Sequence, residues 1–397
     1  MKISKLATRI APSSTLAITA QAKEMKESGI DVVGFGAGEP DFDTPKHISE
    51  AAKEAIDNGF TRYTPASGII QLKKAVAKKF LDENGVIYTP SQIVVSNGAK
   101  HSLINAFMAI VNYLDEVILP APYWLSYPEM IKLVGGVPVP VMTEASNNFK
   151  ITPDEFRAAI TDKTCAIVLN SPSNPTGVVY SRDELKALAD VAVEHDLWII
   201  SDEIYEYLVY DGVEHTCVAS LSEDIYNHTI TINGLSKGFA MTGWRIGFLA
   251  APQPIATAVS NIQSHATSNP NSIAQMAALT ALEDNRESVA EMQVEFAKRR
   301  DFLYDELCNI PGFSVIRPHG AFYCFVDISG LYGKAYNDVI IDSAATFAKL
   351  LLDEVAVALV PCTDFDAPSC IRFSYAIDMD SIKKGTDRVK DLVLKLK

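Results

Sequence analysis

The chain has no run of apolar residues approaching the ~18 that a membrane-spanning helix requires. Its opening residues, MKISKLATRIAPSST, contain no apolar block of the secretory kind, so a cytoplasmic protein is expected. Cysteine is scarce. The six residues Cys165, Cys217, Cys308, Cys324, Cys362 and Cys370 include no C-x-x-C pair and no zinc-like spacing. Free thiols in a reducing compartment are therefore expected, and no metal site. Positive charge is also short: 35 lysines and arginines face 49 acidic residues, for a formal net charge of −14. Such a surface repels phosphate backbones and anionic membranes, so neither nucleic acid nor a membrane is an expected partner. Anionic substrates would have to be met by positive charge concentrated in the site itself. Low-complexity segments, repeats and Pro/Gly/Ser linkers are absent as well, so any two domains must be joined by ordered elements.

What is present is the composition of a folded globular chain, and 397 residues exceed what one small core organises, so two domains are expected. The middle of the sequence alternates between two periodicities. Apolar strand-like runs occur at Gln92 to Val95, Glu116 to Leu119, Cys165 to Leu169, Leu197 to Ile200, Thr229 to Ile232 and Ile246 to Leu249. Between them lie a helical pattern from about Lys100 to Asn112 and two capping boxes. Thr152-Pro153-Asp154-Glu155 opens a helix to about Ile160, and Ser181-Arg182-Asp183-Glu184 opens one to about Glu194. This pattern predicts an α/β fold with a mostly parallel sheet covered on both faces. Charged helical patterns fill Ile273 to Ile310. Strands are expected near Ala321 to Val326 and Ile371 to Tyr375, with helices around 342–353 and 380–396. The N-terminal 45 residues or so hold too little apolar sequence for their own core and are expected to pack on this C-terminal part.

Ligands of open parallel sheets sit beyond the carboxyl ends of the strands. Three polar motifs directly follow apolar strands: Asn170-Ser171-Pro172-Ser173-Asn174-Pro175-Thr176-Gly177, Asp202-Glu203-Ile204-Tyr205, and Asn233-Gly234-Leu235-Ser236-Lys237. The fold would bring an asparagine, an aspartate, a tyrosine and a lysine to one sheet edge. That set suits pyridoxal 5'-phosphate, which needs a lysine to form its imine and a carboxylate to keep its ring nitrogen protonated. It also needs donors to its ring oxygen and a cup for its phosphate. Each residue has a plainer explanation too: an exposed lysine, a helix N-cap at Asp202, core packing for Trp124 and Ile204.

The motifs GAGEPDFDTP, YTPASGI, PYWLSYPEM, NSPSNPTG, SDEIYE, SKGFAMTGWRIGF, PHGAFY and RFSYA occur in this order over essentially the whole chain. On them the sequence resembles the class I pyridoxal-phosphate aminotransferases of fold type I, and most closely their bacterial aspartate aminotransferase subgroup. The resemblance implies a large cofactor-binding domain over 46–290 with a seven-stranded-type, mostly parallel sheet. It also implies a smaller α/β domain built from 1–45 and 291–397. Lys237 is implied as the imine-forming lysine and proton carrier, Asp202 as the partner of the pyridine nitrogen, and Asn174 and Tyr205 as donors to the ring oxygen. Trp124 and Ile204 would cover the ring faces. Arg245 and the backbone amides of Gly98, Ala99 and Lys100 would bind the phosphate, since a helix N-terminus favours anions. Tyr63 would reach the phosphate of a neighbouring subunit, which implies a homodimer. Many relatives carry a serine three residues before the lysine; here that position is Gly234, and Ser236 stands next to Lys237 instead.

For the substrate, the resemblance implies Arg372 on the α-carboxylate, in a bidentate geometry that lysine cannot reproduce, assisted by Asn174 and the Gly38 backbone. Ser13, Thr15 and Lys100 would meet a distal carboxylate, which points to aspartate and 2-oxoglutarate exchanged by a ping-pong mechanism, with the small domain closing over the substrate. Phe35, Phe322 and Tyr323 are expected along the site. Aromatic, prephenate or alanine substrates remain the alternative. A second alternative is another reaction on the same fold, such as a β-lyase or a synthase acting on an amino acid, which would give keto acid, ammonia or a cyclised product without a co-substrate. A non-catalytic amino-acid-binding relative is not expected, because relatives of that kind carry an N-terminal DNA-binding domain whereas this acidic sequence opens directly on the aminotransferase motifs. A relative that has lost its activity is disfavoured because Lys237, Asp202, Arg245 and Arg372 are all present.

Overall fold

A computed structural model describes residues 2–397. The apolar runs of the middle sequence join into one seven-stranded sheet. Its order is Ile93–Ser96, Gly247–Ala250, Thr229–Gly234, Trp198–Asp202, Thr164–Asn170, Glu116–Ala121 and Val137–Met142. Every pairing is parallel except those of Gly247–Ala250, which runs antiparallel to both of its neighbours. Alternate residues of each strand enter opposite cores. On one face Val94, Leu119, Val168, Ile200, Ile232 and Leu249 pack with Leu103, Phe107, Met130 and Val259 of the covering helices. On the other, Ile118, Ile167 and Ile199 meet Phe156, Leu185 and Leu188, while Val95 and Phe248 meet Leu72, Phe80 and Ala277.

The seventh strand, Val137–Met142, is missing from the sequence reading because Val-Pro-Val-Pro-Val does not read as a strand. It is an edge strand, paired only with Glu116–Ala121. The Val137 N–H donates inward to the Asp115 carbonyl at 2.8 Å, so residues 139 and 141 also face the ladder. Pro138 and Pro140 fall on the open side, where no N–H is needed. Both capping boxes form. Thr152 accepts from the Glu155 N–H at 3.2 Å and Ser181 from the Glu184 N–H at 3.3 Å, and they open the helices Pro153–Ala159 and Arg182–Glu194.

The long helical stretch divides at Arg286, whose φ of 67° ends one direction of travel between Ser272–Glu283 and Glu287–Cys308. Beyond it, Ser314–Ile316, Tyr323–Asp327, Cys370–Ser374 and Val360–Pro361 form an antiparallel sheet backed by Ala344–Val355 and Met379–Val393. Near the N-terminus, Val33–Gly34 pairs in parallel with Val357–Ala358. Ala22 of the helix Ser14–Glu27 packs with Val32, Leu352 and Ala358.

Candidate active site

Three neighbouring strands end at one edge of the large sheet, on Asn170, Asp202 and Gly234. The Asn170 side chain ties two of these ends together. Its amide donates to the Asp202 carbonyl at 2.9 Å, and its oxygen accepts from the Asn174 N–H at 2.9 Å. Beyond the edge lies a cavity of about 440 Å³ whose wall includes Asn174, Asp202, Tyr205, Lys237, Arg245 and Arg372. Parallel strands deliver the segments after Asn170, Asp202 and Gly234 to one place, and Arg372 reaches the same cavity from the antiparallel strand Cys370–Ser374 of the C-terminal sheet.

Asp202 is buried, with one carboxylate oxygen accepting from the Tyr127 hydroxyl at 2.6 Å and the other from the Ile204 N–H at 3.3 Å. Burial lifts its pKa to about 6, against the pull of the Tyr127 hydrogen bond. Across the cavity, Lys237 donates to the Gly38 carbonyl. Burial lowers its pKa to about 8; Arg372 and Arg245 push the same way, while Glu39 and Asp202 oppose. At neutral pH roughly a tenth of such an amine is free base, against well under a thousandth for an ordinary lysine.

A cup for an anion forms where the helix Ala99–Ile110 begins. Gly98 holds φ +84°, and a Cβ there would stand 2.3 Å from the Arg245 guanidinium. The site thus needs glycine both for its backbone and for its space. Arg245 donates to the carbonyls of Thr242 at 2.9 Å and Asn97 at 3.3 Å, which aims it at the same helix end. Ser236 lines the cavity. Gly234 faces Gly247, and a Cβ on it would lie 2.9 Å from the Gly247 Cα, so the serine found there in relatives could not be placed without moving the strand.

Arg372 is 2% exposed. Its guanidinium donates to the Asn174 side-chain oxygen at 2.8 Å and the Gly36 carbonyl at 3.3 Å, and lies 4.2 Å from the Tyr323 ring centroid. Its Nε is buried without a partner, a donor that a bound carboxylate could satisfy. The Lys100 ammonium sits 4.7 Å from the Trp124 ring centroid, and burial lowers its pKa. Thr15 is on the wall and accepts or donates to Ser13 at 2.9 Å, so Ser13 meets the cavity through Thr15. The Tyr205 and Tyr323 hydroxyls share a hydrogen bond of 2.9 Å.

One expectation needs correction. Phe35 lies in the core, edge-on to Phe373 at 5.2 Å, and is not on the wall, whereas Tyr323 is. Phe35 follows the short strand Val33–Gly34 and turns into the C-terminal core, a direction its neighbouring site motif does not reveal. Phe322 is buried between Tyr205 and Phe296, with its ring centroid 5.6 Å from the Lys237 ammonium. Tyr63 is not on the cavity of its own chain; its side chain is 91% exposed. The reading also missed Asn170, Tyr127, Glu39 and Thr242. Tyr127 stands three residues after Trp124, one helical turn on, and that spacing was its available signal. Glu39 accepts from the Thr242 hydroxyl at 2.6 Å and joins two motifs far apart in sequence.

The family model for aminotransferase class I and II matches residues 30–389. The chain is 48% identical over 396 residues to an aspartate aminotransferase of Bacillus subtilis, covering 100% of both chains. It is 47% identical over 385 residues to an aspartate/prephenate aminotransferase of Cereibacter sphaeroides, covering 96% of each. Among solved structures it is similar to the aspartate aminotransferase from Rhizobium meliloti, with a TM-score of 0.97 at 39% identity and full coverage of both chains. It is also similar to that of Thermus thermophilus with maleate, with a TM-score of 0.93 at 42% identity over 99% of this chain and 100% of that one.

Proposed function

The chain belongs to the class I and II aminotransferase family and is an aminotransferase, and from that premise we propose that its cavity holds pyridoxal 5'-phosphate and exchanges the amino group of L-aspartate with 2-oxoglutarate. The products are oxaloacetate and L-glutamate, formed in two ping-pong halves. One observation carries the reading: a lysine of lowered pKa, a buried carboxylate and an arginine with an unpartnered Nε share one wall.

The residues present fit the cofactor. Lys237 would hold it, and Asp202 would face its pyridine nitrogen. Asn174 and Tyr205 would donate to its ring oxygen, and Trp124 and Ile204 would cover its faces. The phosphate would lie against Arg245, Ser236 and the amides of Gly98, Ala99 and Lys100, joined by Tyr63 of a second copy in a homodimer. Bound there, the cofactor supplies an electron sink for the charge that develops when the substrate Cα–H bond breaks. The rest falls to the chain. Arg372, Asn174 and the Gly38 backbone fix the α-carboxylate. The Lys237 amine, free-base more often than an ordinary lysine, takes the Cα proton and returns it. Lys100, Thr15 and Ser13 meet the distal carboxylate, so the cations an acidic substrate needs lie inside a protein of net charge −14. The division into 46–290 and 1–45 with 291–397 is part of this proposal; the pairing of Val33–Gly34 with Val357–Ala358 supports it.

The Cereibacter relative's name favours a second reading, in which prephenate is also accepted. One measurement addresses both. The change in cofactor absorbance is followed on mixing the purified protein with aspartate, glutamate, phenylalanine, tyrosine or alanine, and the loaded amino form is then discharged with 2-oxoglutarate or prephenate. Fast reaction with aspartate and glutamate is expected, slowed roughly ten- to hundredfold at limiting substrate by Lys100→Ala, with aromatic donors unaffected. Equal or faster reaction with alanine or aromatic donors would remove the dicarboxylate assignment.

A further inference from the structure

Tyr127 is the only side chain that donates a hydrogen bond to Asp202 among the described residues. It sits in the first turn of the helix Ser126–Leu133, is 2% exposed, and its N–H bonds the Trp124 carbonyl at 3.0 Å. The two rings meet edge to face, 5.4 Å apart at 89°. One helical turn therefore carries both the aromatic wall of the cavity and the donor to its buried carboxylate.

We infer that Tyr127 is a positioning residue for the cofactor: its hydroxyl orients the Asp202 carboxylate and holds it ionised for the pyridine nitrogen. The inference rests on the cofactor reading above. A carboxylate has two oxygens and can rotate. With Oδ2 tied to the phenol at 2.6 Å, Oδ1 keeps only the Ile204 amide at 3.3 Å and retains free acceptor capacity. Burial pushes the phenol well above its ordinary pKa, so it stays protonated and always donates toward Asp202. The groups facing Asp202 are Glu203 and Tyr205 from its own segment, Tyr127 from the neighbouring helix, and Lys237 from across the cavity. Burial and Glu203 favour the neutral acid; Tyr127 and Lys237 favour the anion. Forming the cofactor linkage removes the Lys237 ammonium from this balance, which leaves Tyr127 as the side chain opposing protonation.

The test is a binding titration rather than a rate. Cofactor-free protein is titrated with pyridoxal phosphate from about pH 5 to 8, following quenching of protein fluorescence. Affinity is expected to fall on the acid side as Asp202 takes up a proton. Removing a donor to a carboxylate raises its pKa, so Tyr127→Phe should move that limb up by about one pH unit, weakening binding roughly tenfold near pH 5 but only about twofold near neutrality. Loss of packing alone would weaken binding equally at every pH. Replacing Tyr127 with 3-fluorotyrosine keeps ring and hydroxyl but strengthens the donor, so the limb should move down; this variant tests the idea even if the phenylalanine variant folds poorly. An acid limb in the parent that neither variant moves overturns the role of Tyr127 and leaves the cofactor reading standing. A parent that binds no pyridoxal phosphate at any pH overturns both.

Discussion

Asp202 sits in a place that costs the folded chain stability. Its pKa is about 6, above the ordinary 3.8, so between those values the folded state binds the proton and the unfolded state releases it. Stability contributed by this group therefore falls as pH rises through that window and stays low above it. The cost of keeping the buried anion at neutral pH is on the order of 3 kcal/mol. Asn can accept from Tyr127 in the same way without carrying charge. Asp202→Asn should therefore raise the melting temperature of cofactor-free protein at pH 7. Its advantage should shrink as pH falls toward 4, while transamination is lost. Calorimetry at several pH values reads this directly; a variant less stable than the parent at pH 7 would mean that Asp202 is held ionised by partners that outweigh its burial. The neighbouring Glu203 shows the contrast. It is equally buried but meets His215 at 3.1 Å, Ser201 at 2.8 Å and the Val218 N–H at 3.1 Å, and its pKa is lowered. One strand end thus carries two carboxylates, the inner one paired and the cavity one left short of partners.

Between elements, the critical contact is that of the strand Gly247–Ala250 with the start of the helix Ala99–Ile110. A Cβ on Gly247 would stand 2.2 Å from the Ala99 nitrogen and 2.5 Å from the Gly98 carbonyl carbon. Those atoms are backbone and cannot swing aside. Gly247→Ala should displace the helix N-terminus, weakening pyridoxal phosphate at least tenfold while unfolding at a temperature lower by several degrees, since overpacking costs about 1–3 kcal/mol. Equilibrium titration of cofactor-free protein with and without the substitution checks it; unchanged affinity would detach the helix end from phosphate binding. At this scale the sequence was most legible where one local rule decides the outcome. Apolar runs marked six of the seven sheet strands, and Thr152/Glu155 and Ser181/Glu184 marked two helix starts. It was least legible where a neighbour decides. Pro138 and Pro140 are tolerable only because no strand lies beyond them, and Gly234 is required only because Gly247 faces it. The same division holds in the site. Residues directly after strands, Asn174, Asp202 and Lys237, were legible from position alone, whereas Tyr127 and Asn170 act through contacts that only the folded chain creates.

For the molecule as a whole, the open question is whether one chain makes a complete site, and Tyr63 decides it. Its segment is rigidly held. The Ser272 hydroxyl bonds the Phe60 carbonyl at 2.9 Å, and Gln275 bonds the Thr64 hydroxyl at 3.0 Å and accepts from the Ile69 N–H at 2.8 Å. Yet the Tyr63 ring is 91% exposed and away from its own cavity. Holding an aromatic rigidly in water gains little unless something covers it. In the proposed homodimer, two-fold symmetry would let each Tyr63 complete the other subunit's phosphate cup. Mixing subunits tests this without any structure of the assembly. Lys237→Ala chains should be inactive, and Tyr63→Ala homodimers should bind the cofactor weakly. Unfolded together and refolded, the two should form mixed dimers in which one site has both defects and the other has Lys237 from one chain and an intact Tyr63 from its partner. With equal amounts and random pairing, roughly one site in four should regain parental behaviour. Activity should then exceed the sum of the separate homodimers at limiting cofactor. Activity equal to that sum, with mixed dimers present, would mean that each cavity is complete within its own chain and that Tyr63 serves another surface.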